Sequence, residues 1–261
     1  MCRHAAYIGP PAPLAPLLVG LEHSLLHQSY AARELLPGVT VNADGFAVAW
    51  YDTDVRPEPA RYARGDPIWS DADLPRLASL VHSTTFLAAV RSATVAGQNT
   101  ASNAAPFAHG RWSWSLNGYL RDFSTVWRDH IEREWLTPAQ RNAIQGTTDA
   151  EYLFHAFLAR LEGEEPMAAL RGLVADVKVH AQQHGTAVQL NLLVSDGDRI
   201  LATRDGTETT CNSLYHLADG AEFPDAHVVA SEPMTTGEWQ EVQPQTLLVL
   251  SAGAPPVRLP L

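Results

Sequence analysis

The second residue of the chain is a cysteine, and its position could give it unusual chemistry. Removal of Met1 would leave Cys2 with a thiol and a free α-amine on one residue. A thiolate is the attacking form of cysteine, and its pKa of roughly 8.5 means that it needs a base. An α-amine, with a pKa of about 7.7–8.0, supplies some free base at neutral pH. Nucleophile and base would then be neighbours by covalent geometry, which indicates nucleophilic catalysis by Cys2.

The sequence offers little else of a conventional catalytic kind. His180 and His184 have the i, i+4 spacing of a metal-binding pair, but they fall in the last turns of a helix, where the helix dipole favours imidazolium. Walker, GxGxxG, HExxH and CxxC motifs are absent from the sequence. We therefore expect neither a metal nor an organic cofactor, and we expect Cys211 to be a spectator thiol.

Composition restricts the class of protein and its partners. The 28.4 kDa chain of 261 residues carries a formal net charge of −11, which argues against a nucleic-acid or anionic-membrane partner. Two cysteines are too few for a disulfide framework, and neither a signal peptide nor an apolar run of membrane-spanning length is evident. We expect a cytoplasmic protein with one domain over residues 1–261 and a small-molecule substrate. The sequence leaves the oligomeric state open.

Strands are predicted early in the chain. In residues 45–52, both sets of alternating positions are apolar, which predicts a strand covered on both faces. Residues 85–94 form a second apolar run. The segment RWSWSLNGYL alternates tryptophan and leucine with serine and is predicted to end at Asn117-Gly118. Residues 10–16 are predicted to be a proline-rich loop.

Helices and further strands follow. Thr148 and Glu151 have capping-box spacing before an amphipathic helix, and residues 166–185 predict a second helix ended by Gly185. A hairpin is expected to turn at Asp196-Gly197, with TLLVLSAG as the last strand. Segregated strands and helices with doubly buried strands indicate an α+β sandwich.

Several segments together resemble the class II glutamine amidotransferase family, whose members are N-terminal-nucleophile enzymes. The segments, in order, are MCRHAAYIG, VNADGFAVAWY, AAVRSAT, APFAHGRW, LNGYL, TTDAEYLF and VVASEPM. Their opening Met-Cys-Arg-His is most similar to the branch that hydrolyses γ-glutamyl amides in ergothioneine biosynthesis. The resemblance implies a four-layer αββα sandwich of the N-terminal-nucleophile hydrolase type.

The resemblance also implies roles for particular residues. Cys2 would attack the amide, while the side-chain amide of Asn117 and the N–H of Gly118 would form an oxyanion hole. An ordinary Asn-Gly hairpin turn is the alternative for that pair. The family usually has histidine before it, whereas this sequence has Leu116, which puts the orientation of Asn117 in question.

Recognition of a γ-glutamyl group needs contacts to its carboxylate and its ammonium. By resemblance, Arg91 would bind the α-carboxylate, Asp149 the α-ammonium, and Thr94 would line the same pocket. The guanidinium of arginine suits a carboxylate because its fork binds both oxygens. The alternative for Arg91 is a structural ion pair, and for Asp149 a carboxylate favoured by a helix N-terminus.

The expected function is hydrolysis of a γ-glutamyl amide. By resemblance, the substrate would be γ-glutamyl-hercynylcysteine sulfoxide, with release of hercynylcysteine sulfoxide and glutamate. Trp50, Trp112 and Trp114 are candidates for a cation–π contact to its trimethylammonium, with core packing as the alternative. Other possibilities are a glutaminase subunit that supplies ammonia to a synthase, a hydrolase of another γ-glutamyl metabolite, and a non-catalytic scaffold.

Overall fold

The structure is a computed structural model that describes residues 2–34, 41–93, 99–208 and 211–261. The strands in these ranges are β1 (Arg3–Pro13), β2 (Phe46–Asp52), β3 (Arg56–Arg64), β4 (His82–Val90), β5 (Phe107–His109), β6 (Trp112–Leu120), β7 (Val188–Ser195), β8 (Arg199–Arg204), β9 (Tyr215–Gly220), β10 (Phe223–Ala230), β11 (Gln240–Glu241), β12 (Thr246–Ser251) and β13 (Val257–Pro260). The α-helices are α1 (Leu25–Ala31), α2 (Leu74–Leu80), α3 (Arg128–His130), α4 (Pro138–Ala143), α5 (Asp149–Arg160) and α6 (Pro166–His184). Single turns of π-helix occupy Pro16–Gly20, Phe123–Trp127 and Ile131–Trp135, and 3₁₀ turns occupy Ile68–Ser70 and Ala101–Asn103.

The strands form two antiparallel sheets that stack face to face. Within the described residues, the first sheet has the order β11-β9-β10-β1-β4-β2-β3 and the second the order β13-β12-β8-β7-β6-β5. The apolar layer between them contains Ala6, Ile8, Leu87, Leu193, Ile200, Ala202, Leu248 and Leu250. Strands in the middle of each sheet are therefore buried on both faces, as the sequence of β2 predicts.

Helices cover the outer face of each sheet. On the second sheet, α5 and α6 bury Phe154, Phe157, Leu173 and Val177 against Trp114, Leu192 and Val194. On the first sheet, α1 and α2 bury Leu25, Leu74 and Ala78 against Phe46, Phe86 and Val228. The predicted four-layer αββα sandwich is confirmed. Among the described residues, none of the helices is both long enough and apolar enough to cross a bilayer.

Most of the predicted elements are present, including β2, the β7–β8 hairpin and α6, which ends at Gly185 with a φ of +62°. Three predictions are wrong. Residues 10–16 are not wholly a loop, since β1 runs to Pro13 and its pairing shifts between Ile8 and Ala12, which accommodates the prolines. TLLVLSAG is not the last strand, because β13 follows it.

The third wrong prediction concerns the end of β6. Asn117 and Gly118 lie within the strand, paired with Asn191 and Leu190, and β6 continues to Leu120. An Asn-Gly pair is typical of a turn, but the strand pairing with β7 overrides that preference.

Candidate active site

A cavity of about 590 Å³ opens where Cys2, the end of β4, the second half of β6 and the start of α5 meet. Four of the six predicted site residues line it: Cys2, Arg91, Gly118 and Asp149. Residues 119–124 and Arg128 form much of the rest of its wall. The fold thus gathers into one cavity residues that are up to 147 positions apart in the sequence, Cys2 and Asp149.

Strand pairing places Cys2 beside Arg91. β1 and β4 are antiparallel, with Arg3 opposite Val90, so the residue before β1 and the residue after β4 lie at the same end of the sheet. Cys2 is half-buried and its sulfur is not in a disulfide. The nucleophile predicted from the sequence therefore lies next to the predicted carboxylate-binding arginine.

The open edge of β6 directs the N–H of Gly118 away from β7. β5 pairs with β6 only as far as Trp114, and none of the described strands lies beside the following part of this edge. The N–H of Leu120 points there and donates to Asp149 Oδ2 at 2.8 Å. N–H groups two residues apart on a strand point the same way, so the N–H of Gly118 is aimed at the same edge. This is the orientation that an oxyanion-hole donor needs.

Only glycine fits at position 118. A Cβ added there would lie 1.9 Å from the carbonyl oxygen of Gln189 on the neighbouring strand. That oxygen is backbone and cannot move without disturbing the β6–β7 pairing. Gly118 is thus required by close packing of the two strands, as well as by any role of its N–H.

Asn117 is fully buried and lies behind the cavity wall, on the opposite face of β6 from Gly118. Its Nδ2 donates to Ser231 Oγ at 3.1 Å, and Asn212 Nδ2 donates to its backbone carbonyl at 3.0 Å. Ser231 Oγ also accepts the N–H of His4 at 3.0 Å. Ser231 therefore couples the side-chain amide of Asn117 to the strand that carries Cys2.

Asp149 has a structural role in addition to the predicted one. Oδ1 accepts the N–H of Ala150 at 2.9 Å, and Oδ2 accepts Leu120, so the carboxylate ties the start of α5 to β6. Burial raises the pKa of Asp149, although these N–H groups and the charge of Arg91 oppose that rise. The half-buried carboxylate still lines the cavity and keeps lone pairs for a ligand ammonium.

Arg91 is 8% exposed and lines the cavity. Its Nη1 donates to the carbonyl of Asp44 at 3.2 Å, and its backbone N–H donates to Gly45 at 2.8 Å. These bonds to the start of β2 fix the direction of the side chain. They leave it positioned to bind an anion inside the cavity.

A buried ion pair holds the strand that follows the nucleophile. Arg3 Nε lies 3.0 Å from Glu232 Oε1, and His23 Nε2 lies 2.7 Å from Glu232 Oε2. Burial alone would raise the pKa of Glu232, but the bond from His23, the N–H groups of Arg33 and Glu34 and the charge of Arg3 outweigh it and lower that pKa. Arg3 and Glu232 thus anchor β1 at the residue next to Cys2.

His4 is fully buried and links the two sheets. Its Nδ1 lies 3.2 Å from Ser115 Oγ on β6. Burial, followed by the charge of Arg3, lowers the pKa of His4 to about 3, so the ring is neutral at neutral pH. It is a structural group between the two sheets.

Three tryptophans expected as possible cation–π partners do not line the cavity. Trp114 is fully buried and stacks on Phe154, Trp112 contacts Phe157 edge-on, and Trp50 packs with the core of the first sheet. Core packing is therefore the correct interpretation for all three. The aromatic residues that do line the cavity are Tyr119 and Phe123.

Two further expectations concern single positions. Leu116, which stands where the family usually has histidine, packs in the core beneath α5 and also lines the cavity. Thr94 and Met1 lie outside the described residues.

Sequence reasoning missed Ser231, Glu232, Asn212 and Arg128. Ser231 and Glu232 are in the VVASEPM segment that carries part of the family resemblance, so that segment contained the signal. Nothing in the sequence marks Asn212 or Arg128. For the histidine pair, the rings of His180 and His184 contact each other at a tilt of 37°, with centroids 4.2 Å apart. No cluster of three or more His, Cys, Asp or Glu able to hold a metal is found in the described ranges.

Comparison with known families decides the classification. Residues 21–225 match the family of glutamine amidotransferases class-II. This chain belongs to the class II glutamine amidotransferase family. The predicted enzyme class, an amidohydrolase, is thereby confirmed.

Relatives within the class II family support the same classification. The chain is 34% identical over 234 residues to γ-glutamyl-hercynylcysteine sulfoxide hydrolase of Mycolicibacterium smegmatis, covering 89% of this chain and 88% of that protein. It is 29% identical over 297 residues to the probable glutamine amidotransferase DUG3 of Saccharomyces cerevisiae, covering 96% and 82%. Among solved structures, a glutamine aminotransferase class-II domain protein from Silicibacter pomeroyi superposes with a TM-score of 0.72 at 27% identity, covering 99% of each chain.

Proposed function

We propose that the protein is a cysteine amidohydrolase that cleaves γ-glutamyl-hercynylcysteine sulfoxide into hercynylcysteine sulfoxide and glutamate. The observation that carries the proposal is the meeting of Cys2, Gly118, Arg91 and Asp149 in one cavity. The similarity to the mycobacterial hydrolase supports the choice of substrate. The 590 Å³ cavity is in the size range of small-molecule sites.

The first half of the reaction forms a thioester. With Met1 removed, the α-amine of Cys2 takes the thiol proton, and the sulfur attacks the γ-carbonyl carbon. The N–H of Gly118, which is aimed at the open edge of β6, stabilises the oxyanion, and Asn117 supports this part of β6 from behind the wall through its bond to Ser231. The C–N bond then breaks as the amine group returns its proton to the leaving nitrogen.

The second half releases glutamate. Water attacks the γ-glutamyl thioester, the Cys2 amine takes a proton from it, and the C–S bond breaks to regenerate the thiol. Throughout, Arg91 would hold the α-carboxylate and Asp149 the α-ammonium of the glutamyl group. Their opposite charges match the two charges of that group.

The test is glutamate release from a panel of γ-glutamyl amides. The panel contains glutamine, glutathione, a γ-glutamyl anilide and γ-glutamyl-hercynylcysteine sulfoxide, each assayed with the parent protein and with Cys2→Ala. We expect the last substrate to have the highest kcat/KM and Cys2→Ala to be inactive on all four. Full turnover by Cys2→Ala would overturn the mechanism, and a preference for glutamine would overturn the substrate.

A glutaminase that supplies ammonia to a separate synthase is the second candidate. The 29% identity to a probable glutamine amidotransferase over 96% of this chain favours it. Preferred hydrolysis of glutamine, together with copurification of a synthase, would select this function over the first.

A further inference from the structure

Arg128 has no carboxylate partner among the described residues, in contrast to Arg121, another cation on the cavity wall. Three arginines line the cavity: Arg91, Arg121 and Arg128. Arg121 Nη2 lies 2.8 Å from Glu208 Oε1, and Arg91 acts in the proposed glutamyl site beside Asp149. In the part of the chain that the structure describes, no aspartate or glutamate oxygen pairs with Arg128.

Two aromatic rings hold the guanidinium of Arg128 in place. Its Cζ lies 5.5 Å from the ring centre of Phe123 and 5.4 Å from that of Tyr152. Cation–π contacts of this kind fix the guanidinium plane without neutralising its charge. Tyr152 is itself fixed, because its hydroxyl donates to Glu132 at 2.9 Å.

The hydrogen-bonding capacity of Arg128 is mostly unused. Nε is buried and has no acceptor among the described residues, while Nη2 donates only to the carbonyl of Thr147, at 3.4 Å. A partly buried guanidinium loses solvation, and a bound anion would compensate that loss by charge-assisted hydrogen bonds. The position on the wall of the Cys2 cavity indicates that the anion belongs to the substrate.

We propose that Arg128 binds a carboxylate on the amine half of the γ-glutamyl amide, so that the enzyme prefers γ-glutamyl conjugates of α-amino acids to glutamine. This inference rests on the proposed function, in which Arg91 and Asp149 already account for both charges of the glutamyl half. The second carboxylate of a γ-glutamyl-amino acid has a charge opposite to that of Arg128. Glutamine, which releases ammonia, lacks that group.

The experiment uses two substrates that differ only in this carboxylate, γ-glutamyl-alanine and γ-glutamyl-ethylamide. We expect the parent to have a kcat/KM about 10–100-fold higher for γ-glutamyl-alanine, the range of a charge-assisted contact. Arg128→Gln should remove that preference while leaving γ-glutamyl-ethylamide within about 3-fold of the parent. Arg128→Lys should restore part of it, and Arg133→Gln, an exposed arginine outside the cavity, should change neither substrate.

Two results would overturn the inference. One is the absence of a preference in the parent. The other is an equal loss on both substrates in Arg128→Gln, which would assign Arg128 to the glutamyl half or to folding. If neither substrate is hydrolysed, calorimetric binding to Cys2→Ala with and without Arg128→Gln decides, and equal affinities for both ligands would overturn it.

The same data separate this inference from the proposed function. Rejection of γ-glutamyl-hercynylcysteine sulfoxide together with an Arg128-dependent preference for γ-glutamyl-alanine would remove the proposed substrate and keep the inference. Acceptance of that sulfoxide with no dependence on Arg128 would do the reverse.

Discussion

The two halves of the cavity wall are built in different ways. The half that carries Cys2, Arg91 and Gly118, here called the strand-built half, lies on or next to strands whose register is fixed by pairing within two sheets. The other half, here called the turn-built half, consists of residues 121–128. It follows β6 through the left-handed Asp122 and a π-turn, and many of its side chains are exposed. Strand register fixes atoms with a precision that a turn does not. The difference suggests that the first half serves the reaction and the second half the choice of amine.

The largest effect is expected from removing the proposed nucleophile in the strand-built half. Cys2→Ala should reduce glutamate release from any γ-glutamyl amide by at least about 10³-fold, because no other group in the cavity can form the thioester. Cys211→Ser, which changes the other cysteine, should retain activity, and the two are compared by a coupled glutamate assay. Residual turnover by Cys2→Ala near that of the parent would refute the proposed assignment.

Gly118→Ala tests the rigidity of the strand-built half. The added methyl would meet the Gln189 carbonyl, so we expect a loss of about 1–3 kcal/mol in the free energy of unfolding. Displacement of the N–H should also lower kcat about 10²-fold. Gly163→Ala is the matched control in urea unfolding and kinetics, because an added Cβ there would lie more than 4 Å from any described residue other than its chain neighbours. A Gly118→Ala variant with unchanged stability and kcat would show that β6 tolerates movement.

Ser231→Ala tests the bridge between Asn117 and β1. The Ser231 hydroxyl accepts from Asn117 Nδ2 and from the N–H of His4, so its loss should lower kcat about 10-fold, with KM little changed. A double-mutant cycle distinguishes positioning from general destabilisation, because the effect on kcat should disappear in an Asn117→Ala background. Ser70→Ala, on an exposed turn, serves as the control. Additive effects in the cycle would contradict the positioning role.

The fully buried His4 predicts a pH dependence of stability in the strand-built half. Below pH 6.5 the unfolded chain binds a proton at this histidine, whereas the folded protein does so only near pH 3. Its contribution therefore lowers stability as the pH falls from 6.5 to about 3. His155 and His216, with lowered pKa values of about 4 and about 3, act in the same direction.

We expect His4→Gln to reduce, without abolishing, the fall in urea midpoint between pH 7 and pH 4.5. His82→Gln, at an exposed position of β4, should leave that fall unchanged. A fall in His4→Gln equal to that of the parent would contradict the prediction.

The smallest effect is expected in the turn-built half. Arg121 is 54% exposed and pairs with Glu208, so Arg121→Gln should change the free energy of unfolding by less than about 1 kcal/mol. A larger loss in urea unfolding would mean that this half is as rigidly held as the other.

The sequence alone predicted the layered α+β class and the elements with strong periodicity, and it singled out Cys2 as the candidate nucleophile. Cys2 is identified by local chemistry, and β2, α6 and the β7–β8 hairpin by apolar spacing and glycine positions, all of which are short-range information. The capping box is half correct: Thr148 Oγ1 accepts the N–H of Glu151, but the Glu151 side chain binds the N–H groups of Gln145 and Gly146 instead.

The tertiary structure alone decided what depends on pairing between distant segments. The pairing of β1 with β4 brings residue 2 beside residue 91. The pairing of β6 with β7 keeps Asn117 and Gly118 inside β6 and directs the N–H of Gly118 to the open edge. Ser231 and Glu232 acquire their roles only because β10 pairs with β1, 219 to 225 residues away along the chain. Arg128 is notable because no carboxylate within the described ranges pairs with it, and such a feature depends on every neighbour in space. Local chemistry marks a nucleophile, whereas long-range packing determines which groups surround it.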